Sequence, residues 1–421
     1  MNKENKVTLV SNIILVGFFL AVIFHYVLGF YMGMKPPFNS FVYPAYKAFC
    51  DFKDVLPFVQ NLAPYKEVTP WIAYFPLAYI FMFPFTLIKS KVIAYLIFAS
   101  GFMAFLIYMD IKVFSGKSLT KLQNFQNIFI ITFLSYPVLF NLDKGNFDMF
   151  LFIVLALSVY CFKSEKYLLS AILLAIENAI KPFPLLFLLL FLFKKRYKEF
   201  FLSLILTGLL IIGGFMVLRG DFFNQIVVFI QDLELFKLGY VYGNDNNMGL
   251  NFTSSLFMPL KWAFCKLGSH PAMSPFLFER IYNWLWNIIT VIIVFFTWKE
   301  KIFWKRISLL TFYMLLMPYL VFDYKLIFLF IPLWLFAEVK ESSRFDLIYT
   351  ILFGLLLIPK SAIIINPLYI KNPDIIYFLM STPHSWSQIG ISVILNPLIM
   401  ILFIGLIITE QFLKEKDKNN G

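Results

Sequence analysis

Long apolar runs dominate the chain and limit the folds available to it. One of them, LSLILTGLLIIGGFMVL at 202–218, contains no charged side chain. In lipid every backbone N–H and C=O must be satisfied internally, which leaves only helices and closed barrels. The runs are continuous rather than alternating, and 60% of the 421 residues are hydrophobic. The sequence therefore predicts an all-α polytopic membrane protein.

The apolar runs that are candidates for crossing helices occur along the whole chain. They lie at 8–32, 91–111, 126–141, 147–162, 166–181, 182–194, 199–218, 279–298, 303–320, 324–338, 345–359 and 387–410. Several are shorter than the roughly 20 residues that a helix needs to cross the hydrocarbon core. A further run, at 71–88, is also apolar.

The positions of lysine and arginine decide how 71–88 is interpreted. If this run lies in the membrane without crossing, the short basic loops and both termini fall on one side. These loops carry Lys112, Lys117, Lys121, Lys163, Lys166, Lys194, Lys195, Arg196, Lys198, Lys299, Lys301, Lys305, Arg306, Lys340 and Arg344. Because cytoplasmic loops carry the excess of basic residues, we predict about 12 crossing helices in the inner (cytoplasmic) membrane, with both termini cytoplasmic. Residues 71–88 are then a membrane-seated helix in the first outer loop.

The formal net charge of +12 fits the same topology. In a soluble protein it would point to nucleic acid as a partner. Here the basic residues flank apolar runs, where anionic membrane lipids and phosphate groups attract them. We therefore expect contacts with membrane lipids and no nucleic-acid partner.

The larger polar segments gather on the opposite, outer side. They are the first outer loop at 33–90, the break NLDKGNFD at 141–148, the turn at Lys181-Pro182, the long outer loop at 219–278, the turn DYK at 323–325 and the loop at 360–386. No linker or internal repeat divides the chain, so one integral membrane domain over 1–421 is the simplest organisation. The break at 141–148 is either a solvated turn between two helices or part of a polar site at the membrane surface.

Two carboxylates in the first outer loop are candidates for catalysis. Asp51 and Asp54 have the i, i+3 spacing that places both on one face of a short helix. A carboxylate at the outer membrane face can act as a general base toward a hydroxyl group. The alternative is that Asp51 only caps the helix that follows it.

Lys181 lies directly before Pro182, between two short apolar segments. Proline ends a helix and frees backbone groups at this point. An ammonium group at this depth is a natural partner for a lipid phosphate. The alternative is a lysine whose stem lies along lipid while its charge reaches water.

The long outer loop is rich in amides and hydroxyls around Asn251, which suits sugar hydroxyls and also suits a solvated loop. The three cysteines and three histidines are scattered without the spacing of a metal site. Asp51 and Asp148 offer hard oxygen ligands that a divalent metal would accept. We nevertheless expect no metal and no other cofactor.

Several short motifs follow one another in a characteristic order. They are CDF at 50–52, APY at 63–65, AYFPLAY at 73–79, KGNFD at 144–148 and AIKPFP at 179–184. This order resembles the polyprenol-phosphate-sugar-dependent glycosyltransferases of the GT-C superfamily, specifically the GT87 (DUF2029) group. The resemblance is best over roughly residues 38–200.

The resemblance implies a membrane enzyme with a GT-C-like fold. Such enzymes transfer a hexose, often mannose, from a polyprenyl-phosphate donor to a lipid or glycan acceptor on the non-cytoplasmic side. Their catalytic first-loop carboxylate corresponds to Asp51, with Asp54 as the second candidate, and Lys181 and Lys325 would hold the phosphate. The residues expected to contact substrate are Tyr65, Asp143, Lys144, Asn146, Asp148, Lys181, Asn251, Asp323 and Lys325.

The chain departs from the family pattern at two places. Asn146 and Asp148 stand where the family turn has glutamine and asparagine, and Asp323-Tyr324-Lys325 replaces a turn in which many members have histidine. The main alternative function is a transporter or a flippase for lipid-linked glycans with a similar number of spans. Such proteins typically contain repeats and place polar groups near mid-membrane, whereas the polar groups here cluster at one face.

Overall fold

The computed structural model describes residues 1–31, 48–68, 74–239, 252–267, 275–340, 342–360 and 390–419. Within these ranges the regular elements are helices, and the only β-type pairing is an isolated antiparallel bridge between Thr253 and Phe322. The prediction of an all-α chain is therefore confirmed.

The α-helices account for most of the described chain. In chain order they are α1 Lys3–Tyr31, α2 Cys50–Val59, α3 Pro76–Thr86, α4 Lys91–Phe114, α5 Lys121–Phe129, α6 Tyr136–Lys144, α7 Asp148–Lys163, α8 Tyr167–Ile180, α9 Leu189–Phe193, α10 Tyr197–Val217, α11 Phe222–Lys237, α12 Phe257–Leu267, α13 Pro275–Lys299, α14 Phe303–Leu316, α15 Phe330–Ala337, α16 Asp346–Leu357 and α17 Ile391–Asn419. A π-helical segment, Ile130–Leu134, and two 3₁₀ segments, Phe183–Leu188 and Asp323–Leu329, adjoin them.

Several helices are long and apolar enough to cross a membrane. By length and composition, the described residues contain five such helices, in α1, α4, α10, α13 and α17. A sixth is reached if the bent pair Lys121–Leu134 and Tyr136–Lys144 counts as one span. Large apolar side chains such as Leu209 and Met216 on α10 are exposed, as expected of surfaces that meet lipid. The chain thus has membrane-spanning helices, but this criterion does not reach the predicted number of about 12.

Three of the predicted spans are broken rather than single α-helices. The run predicted at 126–141 is α5, the π segment and α6, with a bend of 46° at the break around Ser135. Pro137 follows in the first turn of α6, where a missing N–H costs nothing. The run predicted at 182–194 begins as a 3₁₀ segment because Pro182 forces Lys181 into an extended conformation.

The third broken run was predicted at 324–338. It consists of the 3₁₀ segment Asp323–Leu329 followed by α15. Pro332 lies near the start of α15 and has no N–H to offer the carbonyl of Phe328. In a 3₁₀ segment each carbonyl accepts from the N–H three residues further on, so the Phe328 carbonyl does not depend on the missing N–H of Pro332.

Helices also occupy segments that the sequence suggested were loops. The first outer loop contains α2 and α3, and the long outer loop contains α11 and α12. The apolar run at 71–88 is represented by α3, which has 11 residues. At 1.5 Å per residue α3 rises roughly 16 Å, about half the thickness of the hydrocarbon core.

The chain forms two compact units. The terminal unit comprises Met1–Ala45, Leu106–Phe140 and Asn244–Gly421, and the central unit comprises Tyr46–Phe105 and Asn141–Gly243.

The terminal unit is organised around α1 and α14. α1 packs against α16, and a Cβ on Gly354 would lie 2.9 Å from Cβ of Ile13, so only glycine allows the two backbones to approach this closely. The buried Lys6 ammonium lies 3.0 Å from the Asp346 carboxylate at the start of α16. α14 packs against α13, α15 and α17.

The central unit is organised around α8. This helix lies against α7 on one side and α10 on the other, and α3 packs on both α8 and α10. Two serines stabilise the contact between α7 and α8, since the Ser158 hydroxyl donates to the Ser170 carbonyl oxygen over 2.9 Å. The unit therefore brings α2, the break at 141–148 and the end of α8 into one compact body.

Candidate active site

The first turn of α2 carries Asp51. The residue before the helix, Phe49, has a left-handed backbone conformation with φ of 43°. Its N–H donates to the carbonyl oxygen of Asp143 over 2.5 Å. This bond joins the start of α2 to the polar break at 141–148, so two segments that are distant in sequence meet in the central unit.

The turn between α6 and α7 depends on Gly145. Its φ is 65°, a left-handed value that favours glycine. A Cβ at this position would lie 3.0 Å from Cβ of Phe52 and 3.1 Å from Cβ of Phe49. The Tyr95 hydroxyl donates to the carbonyl oxygen of Leu142 and holds the turn from the α4 side. The glycine therefore allows the polar break to lie directly against α2.

The Asp51 carboxylate is half-buried and accepts two hydrogen bonds from neutral groups. The Asn146 side-chain amide donates to Oδ2 over 2.6 Å, and the Cys50 thiol donates to Oδ1 over 3.3 Å. Burial, and secondarily the negative charge of Asp51, raises the pKa of the Cys50 thiol to about 11. The thiol therefore stays protonated as a donor, which orients the carboxylate.

Lys144 supplies positive charge next to this carboxylate. Its side chain is buried, and its Nζ lies 3.5 Å from Sγ of Cys50. The ammonium also interacts electrostatically with Asp51 and Asp143. Three residues of the KGNFD motif, Lys144, Asn146 and Asp148, are thus arranged around the start of α2 or the end of α8.

Lys181 forms the other half of the site. Its Nζ lies 2.9 Å from Oδ1 of Asp148, whose side chain is fully buried, while 16% of the Lys181 side chain remains exposed. Asn146 connects this ion pair to Asp51. Its Oδ1 accepts from the Asp148 backbone N–H over 3.0 Å and lies 3.5 Å from Lys181 Nζ. One amide side chain therefore contacts the carboxylate with its nitrogen and the lysine with its oxygen.

An aromatic ring supports Lys181 from another direction. The ammonium lies 5.1 Å from the ring centre of Tyr74, a cation–π distance. The Tyr65 hydroxyl donates to the Tyr74 carbonyl oxygen over 2.6 Å. Tyr65 is buried, which raises its pKa, so it remains a neutral donor. Its structural part is therefore to position Tyr74.

The second candidate carboxylate does not join this cluster. The Asp54 side chain is exposed and makes no hydrogen bond or ion pair with any residue that the structure describes. Asp143 contributes its backbone carbonyl to Phe49. Of the two carboxylates predicted on α2, only Asp51 is tied to the polar break.

Asp323 belongs to the terminal unit and lies in a different cluster. The Ser254 hydroxyl donates to its Oδ1 over 2.6 Å, and the Tyr136 hydroxyl donates to its Oδ2 over 3.2 Å. Lys325 is half-buried in the same 3₁₀ segment. Asn251 lies outside the described residues.

Two contributors to the central cluster were not identified from the sequence. Cys50 donates to Asp51, and Tyr74 lies under the Lys181 ammonium. The signal for Cys50 was its position directly before Asp51 in FCDF. Tyr74 belongs to the motif AYFPLAY, but nothing in the motif indicated a contact with Lys181, because a tyrosine in an apolar run is usually a packing residue.

The cluster places an oriented carboxylate beside two lysine side chains. The two atoms that hold Asp51 are neutral donors, and they orient its carboxylate. An oriented carboxylate is a residue type suited to general-base catalysis. Lys181 and Lys144 provide positive charge for an anionic group. Among the described residues, no group of three or more His, Cys, Asp or Glu side chains is arranged to hold a metal ion.

Comparison with protein families gives one match. The model of glycosyltransferase family 87 matches residues 71–318, which include the polar break and Lys181 but end before Asp323. Asp51 lies before this range, and the match extends further toward the C-terminus than the resemblance seen in the sequence motifs. No curated protein and no solved structure matches the chain. The family match covers more than half of the chain, which therefore belongs to glycosyltransferase family 87.

Proposed function

We propose that this glycosyltransferase moves a hexose, with mannose as the first candidate, from a polyprenyl-phosphate donor to a hydroxyl of a lipid or glycan acceptor. The observation that carries the proposal is the central cluster. In it Asn146 joins a half-buried carboxylate, Asp51, to a partly exposed ammonium, Lys181. Base and cation thus lie on either side of one amide.

The proposed reaction is a single in-line displacement. Asp51 accepts the proton of the acceptor hydroxyl as that oxygen forms a bond to the anomeric carbon. The bond between the anomeric carbon and the phosphate oxygen breaks, and polyprenyl phosphate leaves with the bonding electrons. One displacement inverts the anomeric configuration, and one carboxylate is sufficient, whereas glycoside hydrolases use two.

The departing phosphate gains negative charge, which fixed cations stabilise. Lys181 is suited to this task because its Asp148 partner is buried while part of its own side chain is accessible. Lys144 adds charge on the Cys50 side of Asp51. We propose that these lysines act without a divalent metal. Lys325, the other predicted phosphate contact, lies in the terminal unit, and its role stays a prediction.

The family assignment favours this enzyme over the transporter or flippase alternative, because a flippase moves its substrate without making a glycosidic bond. The direct test is transfer from a synthetic polyprenyl-phosphate hexose to an extract of membrane lipids, with the purified chain in detergent. We expect a new glycoside with the anomeric configuration opposite to that of the donor, assigned by NMR. Retained configuration, or activity only with a nucleotide sugar, would contradict the proposal.

We further propose that the site faces the outer side of the inner membrane, with about 12 crossings and both termini cytoplasmic. The one-sided distribution of short basic loops supports this topology, and the length of α3 supports a helix that does not cross. Lys117→Cys should resist a membrane-impermeant thiol reagent in intact cells and react after permeabilisation. Full labelling in intact cells would reverse the proposed orientation of that loop.

A further inference from the structure

A polar cleft lies in the terminal unit, between the first turns of α1 and the start of α5. Its volume is about 490 Å³. The lining side chains are mostly amides, and none of them is charged. They include Asn5, Thr8, Asn12, Gln123, Gln126 and Asn127. No part of the proposed transfer reaction uses this cleft.

The walls of the cleft are held by hydrogen bonds within the unit. The Asn127 amide donates to the Thr8 hydroxyl over 3.0 Å, which ties α5 to α1. Asn124 holds the loop before α5 in place, since its side chain accepts from the Gly116 N–H and donates to the Gly116 carbonyl oxygen. This loop carries Leu119, which forms part of the wall. The cleft therefore has a defined shape.

Three amide side chains remain available inside it. Asn5, Asn12 and Gln126 are exposed, and none of these side chains makes a hydrogen bond with any residue that the structure describes. Asn12 lies about 9 Å along the helix axis beyond Lys6. It is thus within the part of α1 that is apolar enough to cross a membrane. A polar side chain at such depth typically faces a polar partner rather than lipid tails.

The lining selects a neutral ligand over an anionic one. No lysine or arginine lines the cleft. The N-terminus of α5 is also occupied, because the Thr120 hydroxyl accepts from the Gln123 N–H and the Gln123 side chain accepts from the Thr120 N–H. A phosphate would therefore find no cation in the lining and a helix terminus that is already capped. Amides instead offer paired donors and acceptors, which match the neighbouring hydroxyls of a sugar ring.

The surroundings of the cleft fit a lipid rather than a free sugar. Leu122 and Phe125 on α5 and Val16 on α1 are large, apolar and well exposed. Such side chains beside a polar cleft suit acyl chains beside a headgroup. We propose that the cleft binds the hydroxylated, uncharged headgroup of a membrane glycolipid, at the end of α1 that carries Lys3 and Lys6.

The test measures lipid binding by the full chain with native mass spectrometry. The probes are monoglucosyl-dioleoylglycerol and dioleoyl-phosphatidylglycerol, which share acyl chains, and soluble methyl glucoside. The variant Asn12→Leu/Gln126→Leu removes two of the three available amides. Asn224→Leu removes an exposed amide on α11, in the other unit, and is the matched control.

We expect the wild type and the control to prefer the glucolipid over the phospholipid. The double variant should bind the glucolipid at least about tenfold more weakly, since two hydrogen bonds are lost. Unchanged glucolipid binding by the double variant would overturn the proposal, as would equal loss of both lipids. Methyl glucoside binding as tightly as the glucolipid would overturn the lipid part. A shift from dimer to monomer in the double variant, without loss of lipid, would assign the cleft to a second copy of the chain instead.

Discussion

Each unit holds an aspartate in a hydrogen-bonded cluster, and the two clusters differ in what surrounds them. In the central unit Asp51 is half-buried and accepts from Asn146 and Cys50. In the terminal unit Asp323 is fully buried and accepts from Ser254 and Tyr136. The hydrogen bonds to both carboxylates thus come from neutral donors, and each carboxylate also interacts with a lysine, Lys144 for Asp51 and Lys360 for Asp323.

The two clusters differ in how accessible their side chains are from outside the protein. The side chains that donate to Asp323 are fully buried themselves, whereas Lys181 in the central cluster keeps 16% of its side chain exposed. A base must reach the proton that it removes, so access is required for catalysis. A sealed and fully bonded carboxylate contributes to stability instead. The comparison predicts that the central cluster controls rate and the Asp323 cluster controls folding.

The largest expected effect is that of Asp51→Asn. This change preserves the shape of the side chain and removes the base, so transfer should fall roughly 10²–10⁴-fold. Asp54→Asn is the matched control on the same helix and should retain far more activity. Asp148→Asn should fall between the two, because it weakens the partner of Lys181 and leaves the base. Initial rates of hexose transfer, on protein with a normal size-exclusion profile, measure all three.

If Asp51→Asn kept the wild-type rate while Asp54→Asn or Asp148→Asn abolished transfer, the base would have been assigned to the wrong carboxylate. Loss of activity in the Asp51 and Asp54 variants with an aggregated profile would instead show that both carboxylates of α2 are needed for folding.

Lys181→Ala should have the next largest effect. Loss of a charge-assisted contact to phosphate costs about 1.5–3 kcal/mol, or roughly 10–150-fold in kcat/KM. The KM for the donor should rise and kcat should fall. Lys194→Ala, an exposed lysine after α9, is the control. An unchanged dependence on donor concentration would mean that Lys181 only anchors the end of α8 at the membrane surface.

Asp323→Ala tests the other side of the comparison. It leaves the buried Ser254 and Asn396 side chains without their carboxylate partner. The free energy of unfolding should fall by about 1–3 kcal/mol, seen as a lower Tm in detergent. The rate per folded molecule should change little. A raised KM for donor or acceptor at unchanged Tm would contradict this expectation and support the substrate contact that the sequence suggested.

Many residues of the central cluster could be identified from the sequence because they interrupt apolar runs. Asp51, the KGNFD turn and the lysine before Pro182 each interrupt an apolar run, and polar groups there need a reason. The contacts among these residues were harder to predict from the sequence. Asn146 bonds to Asp51 across 95 positions, and no local spacing encodes a contact of that range.

The helical class was predictable from the sequence, whereas the breaks within the helices were not fully predictable. Apolar runs identify helices in lipid, but a run such as 324–338 does not reveal that its first half is 3₁₀. The bend before α6 also follows a π segment that no residue pattern predicted. The prolines did indicate where helices break, since Pro137 and Pro182 lie at two of the breaks.

The smallest expected effect concerns Cys50. Cys50→Ala removes the thiol that donates to Asp51, and a single neutral hydrogen bond contributes about 0.5–1.5 kcal/mol, or roughly 2–12-fold in kcat. Cys50→Ser keeps a donor and should stay closer to the wild type. Equal rates for all three proteins would show that Asn146 alone orients the carboxylate.

The central claim is that Asp51 acts in the chemical step and Lys181 in donor binding. Equilibrium binding of the polyprenyl-phosphate hexose and the single-turnover rate at saturating donor, measured on Asp51→Asn and Lys181→Ala, separate these roles. The account predicts that Asp51→Asn binds the donor within about threefold of the wild type while its single-turnover rate falls more than about 100-fold. Lys181→Ala should instead weaken donor binding by about tenfold or more. An Asp51→Asn variant that loses donor binding but turns over the bound donor at the wild-type rate would contradict the account.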